Sequence, residues 1–340
     1  MTASHAKAFI AGCSGPQLTA EERAFFRAER PWGLILFKRN ILEPSQIKDL
    51  IAEFRDSTGR RDAPVLVDQE GGRVQRFGPP HWRRYPAAAW FLDHAKGDVT
   101  IASSHARLVA RLMAADLFEL GVTMNCAPLL DLAFEGRTDA IGDRAFAKTP
   151  EAVTALGRAV AEGLMAGGVL PVIKHIPGHG RAVVDSHETL PVVEASESDL
   201  EKTDFVPFRQ LADLPIAMTA HILFPHLDRD NPATQSVSVI ERVIRNGIGF
   251  SGLLMSDDLS MKALGGDIAH RTRAIFAAGC DMALHCNGLM DEMRAVASAS
   301  PQLDGQAQRR AERAIAERKT VPYPFDPVDA ARKLADMLAL

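Results

Sequence analysis

The stretch "GFSGLLMSDDLSM", Gly249 to Met261, holds a short apolar run that ends on two carboxylates. Leu253, Leu254 and Met255 lead into Ser256, Asp257 and Asp258 without any alternation of apolar and polar residues. A continuous run of this length suits a strand covered on both faces, and its polar end marks where the strand leaves the core. The pattern recurs. "AFIAGC" (8–13), "GLILF" (33–37), "PVLVD" (64–68), "VTMNCAP" (122–128), "LPVIKH" (170–175), "IAMTAHI" (216–222) and "DMALHC" (281–286) complete a set of eight.

Between these runs lie amphipathic patterns. "PSQIKDLIAEFRD" (44–56) places Ile47, Leu50, Ile51 and Phe54 on one helical face, and "ARLVARLMAADLFELG" (106–121) is similar. "EAVTALGRAVAEGLMAGG" (151–168) ends on a glycine pair able to supply a left-handed cap. Eight such strands alternating with helices imply a closed (β/α)8 TIM-type barrel, an α/β fold. A doubly wound open sheet is the rival, but "AGCSGPQ" after the first run lacks the glycine-rich phosphate turn of that fold. The expected organisation is one catalytic barrel domain over 1–340. Strands and helices of the core occupy about 8–290, and 291–340 form C-terminal helices, with a terminal one after "VPYPFDP".

Composition narrows the function classes. With 340 residues, 46% hydrophobic and 24% charged, the chain has the balance of a soluble enzyme. A formal charge of −4 offers no general basic surface for nucleic acid or anionic lipid. "MTASHAKAFIAGCSG" lacks the basic start and apolar core of a signal peptide, and no run reaches the length of a membrane span. Cys13, Cys126, Cys280 and Cys286 are scattered in apolar runs, as buried reduced thiols would be. The expectation is a cytoplasmic protein with no membrane and no obligate protein partner.

In a barrel the chemistry collects where strands end and loops begin. Asp68, Asp131, Lys174, His175, His221 and Asp257 all fall just after apolar runs, so they should share one mouth. Asp257 is expected to face the cavity and Asp258 to cap the next helix, since successive strand residues point to opposite sides. "KHIPGHGRAVVDSHETLP" (174–191) reads as a long polar loop, with Gly178 and Gly180 giving it freedom to move. Within it, Asp185 and His187 are two apart, so an extended loop puts carboxylate beside imidazole, which fixes a tautomer and raises basicity. His175 and His179 have a metal-ligand spacing for a helix, but the intervening Ile-Pro-Gly forbids a helix and Lys174 repels a dication. No metal and no cofactor is expected. Asp68 can accept two hydroxyl hydrogen bonds of a sugar, and Arg76 and Arg144 can offer planar forks to oxygen atoms.

These segments together resemble the bacterial β-N-acetylhexosaminidases of glycoside hydrolase family 3, the NagZ type. The resemblance rests on "GLILFKRN", "DQEGGRVQR", "NCAPLLDL", "IGDRAF", "KHIPGHGRAVVDSH", "TAHILFP", "NPATQSVSVI" and "GFSGLLMSDDLSM", and runs from about residue 8 to 290. It implies a retaining enzyme that removes terminal N-acetylglucosamine from peptidoglycan fragments, disaccharides ending in 1,6-anhydro-N-acetylmuramic acid with or without peptide, during cell-wall recycling. By the same resemblance Asp257 is the nucleophile and His187 the general acid/base, with Asp185 its partner. Asp68, Arg76, Arg144, Lys174 and His175 would bind the sugar. Ile176 stands where phenylalanine is usual, and "GDRAF" where "GERAF" or "GERSF" is common; neither removes a reacting group. The fifty residues after 290 are too few for the second domain of larger members.

The chemistry is compatible. Retaining hydrolysis usually pairs two carboxyl groups, and here an imidazole near neutral pKa would take over proton transfer. Four rivals are acetamide-assisted hydrolysis oriented by Asp257 and Asp258, phosphorolysis, a sugar-binding barrel without catalysis, and metal-dependent hydrolysis from the histidine-rich loop, for which no loss of activity with chelator is expected.

Overall fold

The computed structural model describes residues 6–136, 140–186 and 188–339. Eight parallel strands close into a barrel: β1 Lys7–Ala11, β2 Pro31–Leu36, β3 Val65–Val67, β4 Met124–Asn125, β5 Leu170–Ile176, β6 Ile216–Thr219, β7 Leu253–Asp258 and β8 Met282–His285. Each coincides with one of the apolar runs. β1 makes the closure, pairing Ile10 with Gly33 of β2 and Phe9 with Ala283 of β8.

The runs are continuously apolar because both faces are covered. Ile10, Leu66, Val172, Met218, Met255 and Leu284 belong to the cluster filling the barrel, whereas Phe9, Val65, Ile173, Ala217, Leu254 and Ala283 belong to the cluster under the helices. Neighbours in sequence therefore serve different cores, with no solvent face to demand a polar residue. Helices Ala20–Glu29, Pro44–Thr58, Val99–Leu120, Pro150–Ala166, Ile268–Ala278 and Met290–Ala299 cover the outside, together with the short pair Glu197–Lys202 and Phe205–Gln210 and a wider-wound helix Ser238–Ile248. Gly168 supplies the left-handed turn after Pro150–Ala166, at φ +77°. The helix over 99–120 begins earlier than the apolar pattern implies. Asp98 caps it by accepting from the amides of Thr100 and Ile101, a start signal well before Ala106.

The C-terminal helices are present. Gly305–Ala316 buries Ala311 and Ala314 against the barrel-filling cluster, and Pro327–Leu338 packs on Val99–Leu120. The four cysteines are buried and unbridged. No helix of the described residues is long and apolar enough to cross a membrane.

Two strand irregularities matter for the mouth. Along β7, Met255 and Asp258 oppose Met282 and Leu284 of β8, so three steps face two. Along β5, Lys174 and Ile176 oppose the consecutive Met218 and Thr219 of β6. Each register shift inserts an extra residue, Ser256 or Asp257 on one strand and His175 on the other. A bulge re-aims side chains, so strict alternation fails there.

The polar stretch after Lys174 also differs from the expectation. Lys174 to Ile176 finish β5, and every residue from Lys174 to Gly180 is buried. The glycines are there for close approach rather than freedom. A Cβ on Gly180 would sit 2.1 Å from the Leu132 carbonyl oxygen, and one on Gly178 would meet the Asp204 Cβ at 2.9 Å. Because the Leu132 obstacle is backbone, Gly180→Ala should destabilise the protein by about 1–3 kcal/mol in urea denaturation, the usual cost of overpacking.

Candidate active site

At the C-terminal ends of the strands lies a cavity of about 270 Å³, the size of a monosaccharide site rather than of a drug-sized pocket. Asp68, Arg76, Arg144, Lys174, His175, Asp185 and Asp257 all line it. His221 is fully buried below, its Nε2 3.1 Å from the Asp258 carbonyl oxygen. His187 lies outside the described residues.

The floor is an ion cluster. The Lys174 ammonium donates to Asp68 Oδ1 at 2.9 Å and lies 2.6 Å from Glu70 Oε1. Arg76 reaches Asp68 Oδ2 at 3.2 Å, and Arg144 grips both Glu70 oxygens at 2.8 and 2.9 Å. Burial alone would raise the Asp68 and Glu70 carboxyls; Lys174 with Arg76 and Arg144 overrides it and holds both below the ordinary range. Lys174 itself is buried, which favours its neutral form, yet the two carboxylates raise its pKa. Three cations against two carboxylates leave one positive charge over.

Glu70, the hub of this cluster, carries no role in the sequence reading. It sits in an antiparallel hairpin, Gln69–Gly71 with Val74–Gln75, that follows β3 directly. The Gly71-Gly72 pair, both at positive φ, is the signal that makes this turn legible. Gln69 pins the return: its Oε1 accepts from the Arg76 and Phe77 amides, while Asn125 of β4 clamps the Gln69 backbone from both sides. Arg76 is thereby delivered to Asp68.

Asp131 carries the second group. Its carboxylate, fully buried, meets His175 Nδ1 at 2.7 Å and accepts from the His179 amide at 2.6 Å. Burial pushes it up, but His175 and then His179 pull it below the usual carboxylate range. Since Asp131 can only accept, His175 donates through Nδ1, and its Nε2 faces Asp257 Oδ2 at 3.9 Å.

Asp257 is the carboxylate with reach to spare. Oδ1 accepts from the Asp258 amide; Oδ2 has no hydrogen-bond donor among the described residues. Asp68, Glu70 and Asp131 have both oxygens engaged. So does Asp258, which accepts from the Ser260 amide and hydroxyl and the Cys286 amide. Asp258 thus stays at the cavity wall but is locked into the turn. Burial would lift the Asp257 carboxyl; His175, His221, the Asp258 amide and Lys174 bring it down to about 2. It is ionised at any working pH.

Asp185 follows in the segment over the mouth, where its carbonyl accepts from the Glu188 and Thr189 amides. The adjacent Ser186 hydroxyl lies 3.1 Å from His179 Nε2. The His175 and His179 rings stand 5.4 Å apart, with His179 turned to Ser186. Among the described residues no group of three or more His, Cys, Asp or Glu is placed to hold a metal ion.

A closed parallel barrel with a free carboxylate and a cluster of fixed cations at its mouth suits carbohydrate chemistry, and its relatives agree. The model of the glycosyl hydrolase family 3 N-terminal domain matches residues 13–316. The chain belongs to glycoside hydrolase family 3. A β-hexosaminidase of Methylococcus capsulatus is 42% identical over 277 residues, 80% of each chain. One of Pseudomonas aeruginosa is 39% identical over 276 residues, again 80% of each. NagZ from Neisseria gonorrhoeae, solved in complex with N-trifluoroacetyl-D-glucosamine, superposes with a TM-score of 0.87 over 98% of each chain at 32% identity. This family 3 protein is a glycosidase of the β-hexosaminidase type.

The buried histidine makes the site pH-sensitive in stability. Burial and the neighbouring His175 drive the His179 pKa down to about 4, against about 6.5 when unfolded. Between those values only the unfolded chain takes the proton, so stability falls as pH drops from 6.5 to 4, by up to ~1.4 kcal/mol per pH unit. Melting temperature against pH should show that slope, and His179→Gln should flatten it.

Proposed function

We propose that this family 3 enzyme is a retaining exo-β-N-acetylglucosaminidase working through a covalent glycosyl-enzyme intermediate on Asp257. The observation that carries the reading is the uncommitted Asp257 Oδ2, on an ionised carboxylate at the cavity wall. An ionised carboxylate oxygen with no donor on it keeps its lone pairs available for attack. The acetamide-assisted alternative needs a second carboxylate, and Asp258 is spent on Ser260 and Cys286.

In this reading Asp68, held by Lys174 and Arg76, accepts hydrogen bonds from sugar hydroxyls. Remaining N–H groups of Arg76, Arg144 and Lys174 donate to ring substituents, and His175 Nε2 lies beside the anomeric carbon. Because Lys174 and Arg144 are already fixed by Glu70, they would meet the sugar without reorganising, which favours a polar transition state. His187, with Asp185 in the role of its partner, protonates the departing oxygen and then deprotonates water. Binding of an N-acylated glucosamine by the gonococcal relative supports N-acetylglucosamine as the sugar. We take the substrates to be peptidoglycan fragments in which that sugar is linked to 1,6-anhydro-N-acetylmuramic acid, with or without peptide. Their turnover would serve cell-wall recycling in the cytoplasm.

A 5-fluoro N-acetylglucosaminide should leave an adduct on the Asp257 peptide by mass spectrometry; prompt hydrolysis without adduct would count against the covalent route. On a chromogenic N-acetylglucosaminide, Asp257→Ala should lose on the order of 10⁴-fold in kcat/KM. His187→Ala should lose under about tenfold there, yet about 10²–10⁴-fold on a disaccharide whose leaving oxygen needs the proton.

A further inference from the structure

His221 ends an apolar run like the residues of the mouth, but its imidazole is fully buried instead of lining the cavity. It sits between the ends of two strands. β6 and β7 stay in register only as far as Met218 opposite Met255. Past that point they part. β6 leans to β5, where Thr219 pairs with Ile176 and the Ala220 amide donates to the Ile176 carbonyl at 2.9 Å. β7 leans to β8, where Asp258 pairs with Leu284 and the Leu259 amide donates to the Leu284 carbonyl at 2.9 Å. The His221 imidazole crosses the opening, its Nε2 3.1 Å from the Asp258 carbonyl oxygen.

A carbonyl oxygen can only accept, so Nε2 carries the proton and Nδ1 is bare. Nδ1 is buried and has no partner among the described residues. Burial holds the imidazole pKa below its ordinary value, which makes His221 a neutral donor. A buried acceptor without a partner is destabilising, and an apolar side chain in its place would avoid that penalty. What the imidazole supplies in return is one N–H, given to Asp258. The Asp257 carboxylate depends on Asp258 for its orientation. Its Oδ1 accepts from the Asp258 amide at 2.8 Å, and Oδ2 has no donor among the described residues. Asp258 is in turn held by Ser260 and the Met261 amide within its own turn, and by the Cys286 amide from the end of β8. Of these donors to Asp258, His221 is the one that comes from the end of β6.

We propose that His221 is a positioning residue for the glycosidase reaction: its N–H ties the Asp258 carbonyl to the end of β6 and so sets the β7 bulge that presents Asp257 Oδ2 to the cavity. The inference rests on the reading of Asp257 as nucleophile and adds the group that aims it. An oxygen that must meet an anomeric carbon tolerates little error, since a shift of about 1 Å can cost ~10²-fold in rate. Sugar binding would rest on Asp68, Arg76, Arg144 and Lys174, none of which shares a hydrogen bond with His221. Attack and binding should therefore separate.

The test uses the different reach of two amides. A glutamine side-chain nitrogen can take up the place of Nε2, whereas that of asparagine stops near the place of Nδ1. His221→Gln and His221→Asn are compared with wild type in three measurements. These are the rate at which a 5-fluoro N-acetylglucosaminide labels Asp257, kcat/KM on a chromogenic N-acetylglucosaminide, and Kd for N-acetylglucosamine by calorimetry. His221→Asn should lose about 30-fold in labelling rate and in kcat/KM with Kd within about threefold, and His221→Gln should stay within about fivefold of wild type. Thr219→Val removes the 2.6 Å hydroxyl contact with Thr234 on the same strand without touching Asp258, and controls for general loosening. It should stay within about threefold of wild type in labelling rate. If His221→Asn does not fold, His221→Met, which keeps the length but has no N–H, takes its place with the same expected loss. Parallel losses of labelling and affinity, or a Thr219→Val as slow as the donor-less variant, overturn the proposal. An adduct that forms on Asp257 equally fast in every variant refutes the proposal alone. Wild-type turnover that leaves no adduct on Asp257 refutes the nucleophile reading, and the proposal with it.

Discussion

Lys174 ends the fifth strand with its ammonium buried and shared between Asp68 and Glu70, and the rest of the mouth is arranged around that shared charge. A buried ammonium without partners would shed its proton, and two adjacent buried carboxylates would take one up. Together they keep each other ionised. Removing one member of such a cluster leaves an uncompensated charge, at a cost of about 3–5 kcal/mol. The same contacts tie β5 to the hairpin after β3, and Arg144 brings the 142–144 turn to that hairpin. Segments far apart in sequence thus meet in one place with their hydrogen-bonding groups already oriented.

The consequence reaches Asp257. With three cations opposing two carboxylates, the floor carries an excess of positive charge, and His175 and His221 add to the stabilisation of the Asp257 anion. Asp131 contributes indirectly. By taking Nδ1 of His175 and the amide of His179, it fixes the imidazole whose other nitrogen looks at Asp257. What separates Asp257 from its neighbours is the number of donors. Asp68, Glu70, Asp131 and Asp258 have a donor on each oxygen, while Asp257 keeps one oxygen open.

Much of this site was legible in the chain because barrel strands announce their ends. Asp68, Lys174, His175 and Asp257 each stand where an apolar run stops, and they meet at the mouth. Three things were less legible. Glu70 is one polar residue in a polar stretch, and only the hairpin turn at Gly71-Gly72 aims it at Lys174. Lys174 to Gly180 looked too polar for the interior, yet they are buried because Asp68, Glu70 and Asp131 satisfy them from other strands. Asp257 and Asp258 could not be separated by alternation, since the β7 register shift places both at the cavity wall.

The amino-acid sequence by itself determined the eight strands, the helices between them, the closed barrel and the end of the barrel where chemistry gathers. Periodicity and burial are local properties, written in each segment. Only the tertiary structure decided which carboxylate stays free, which cation holds which anion, and that Gly178 and Gly180 serve close packing. Those outcomes depend on contacts between residues as far apart in the chain as Asp68 and Lys174, and on bulges set by neighbouring strands. No local pattern encodes them.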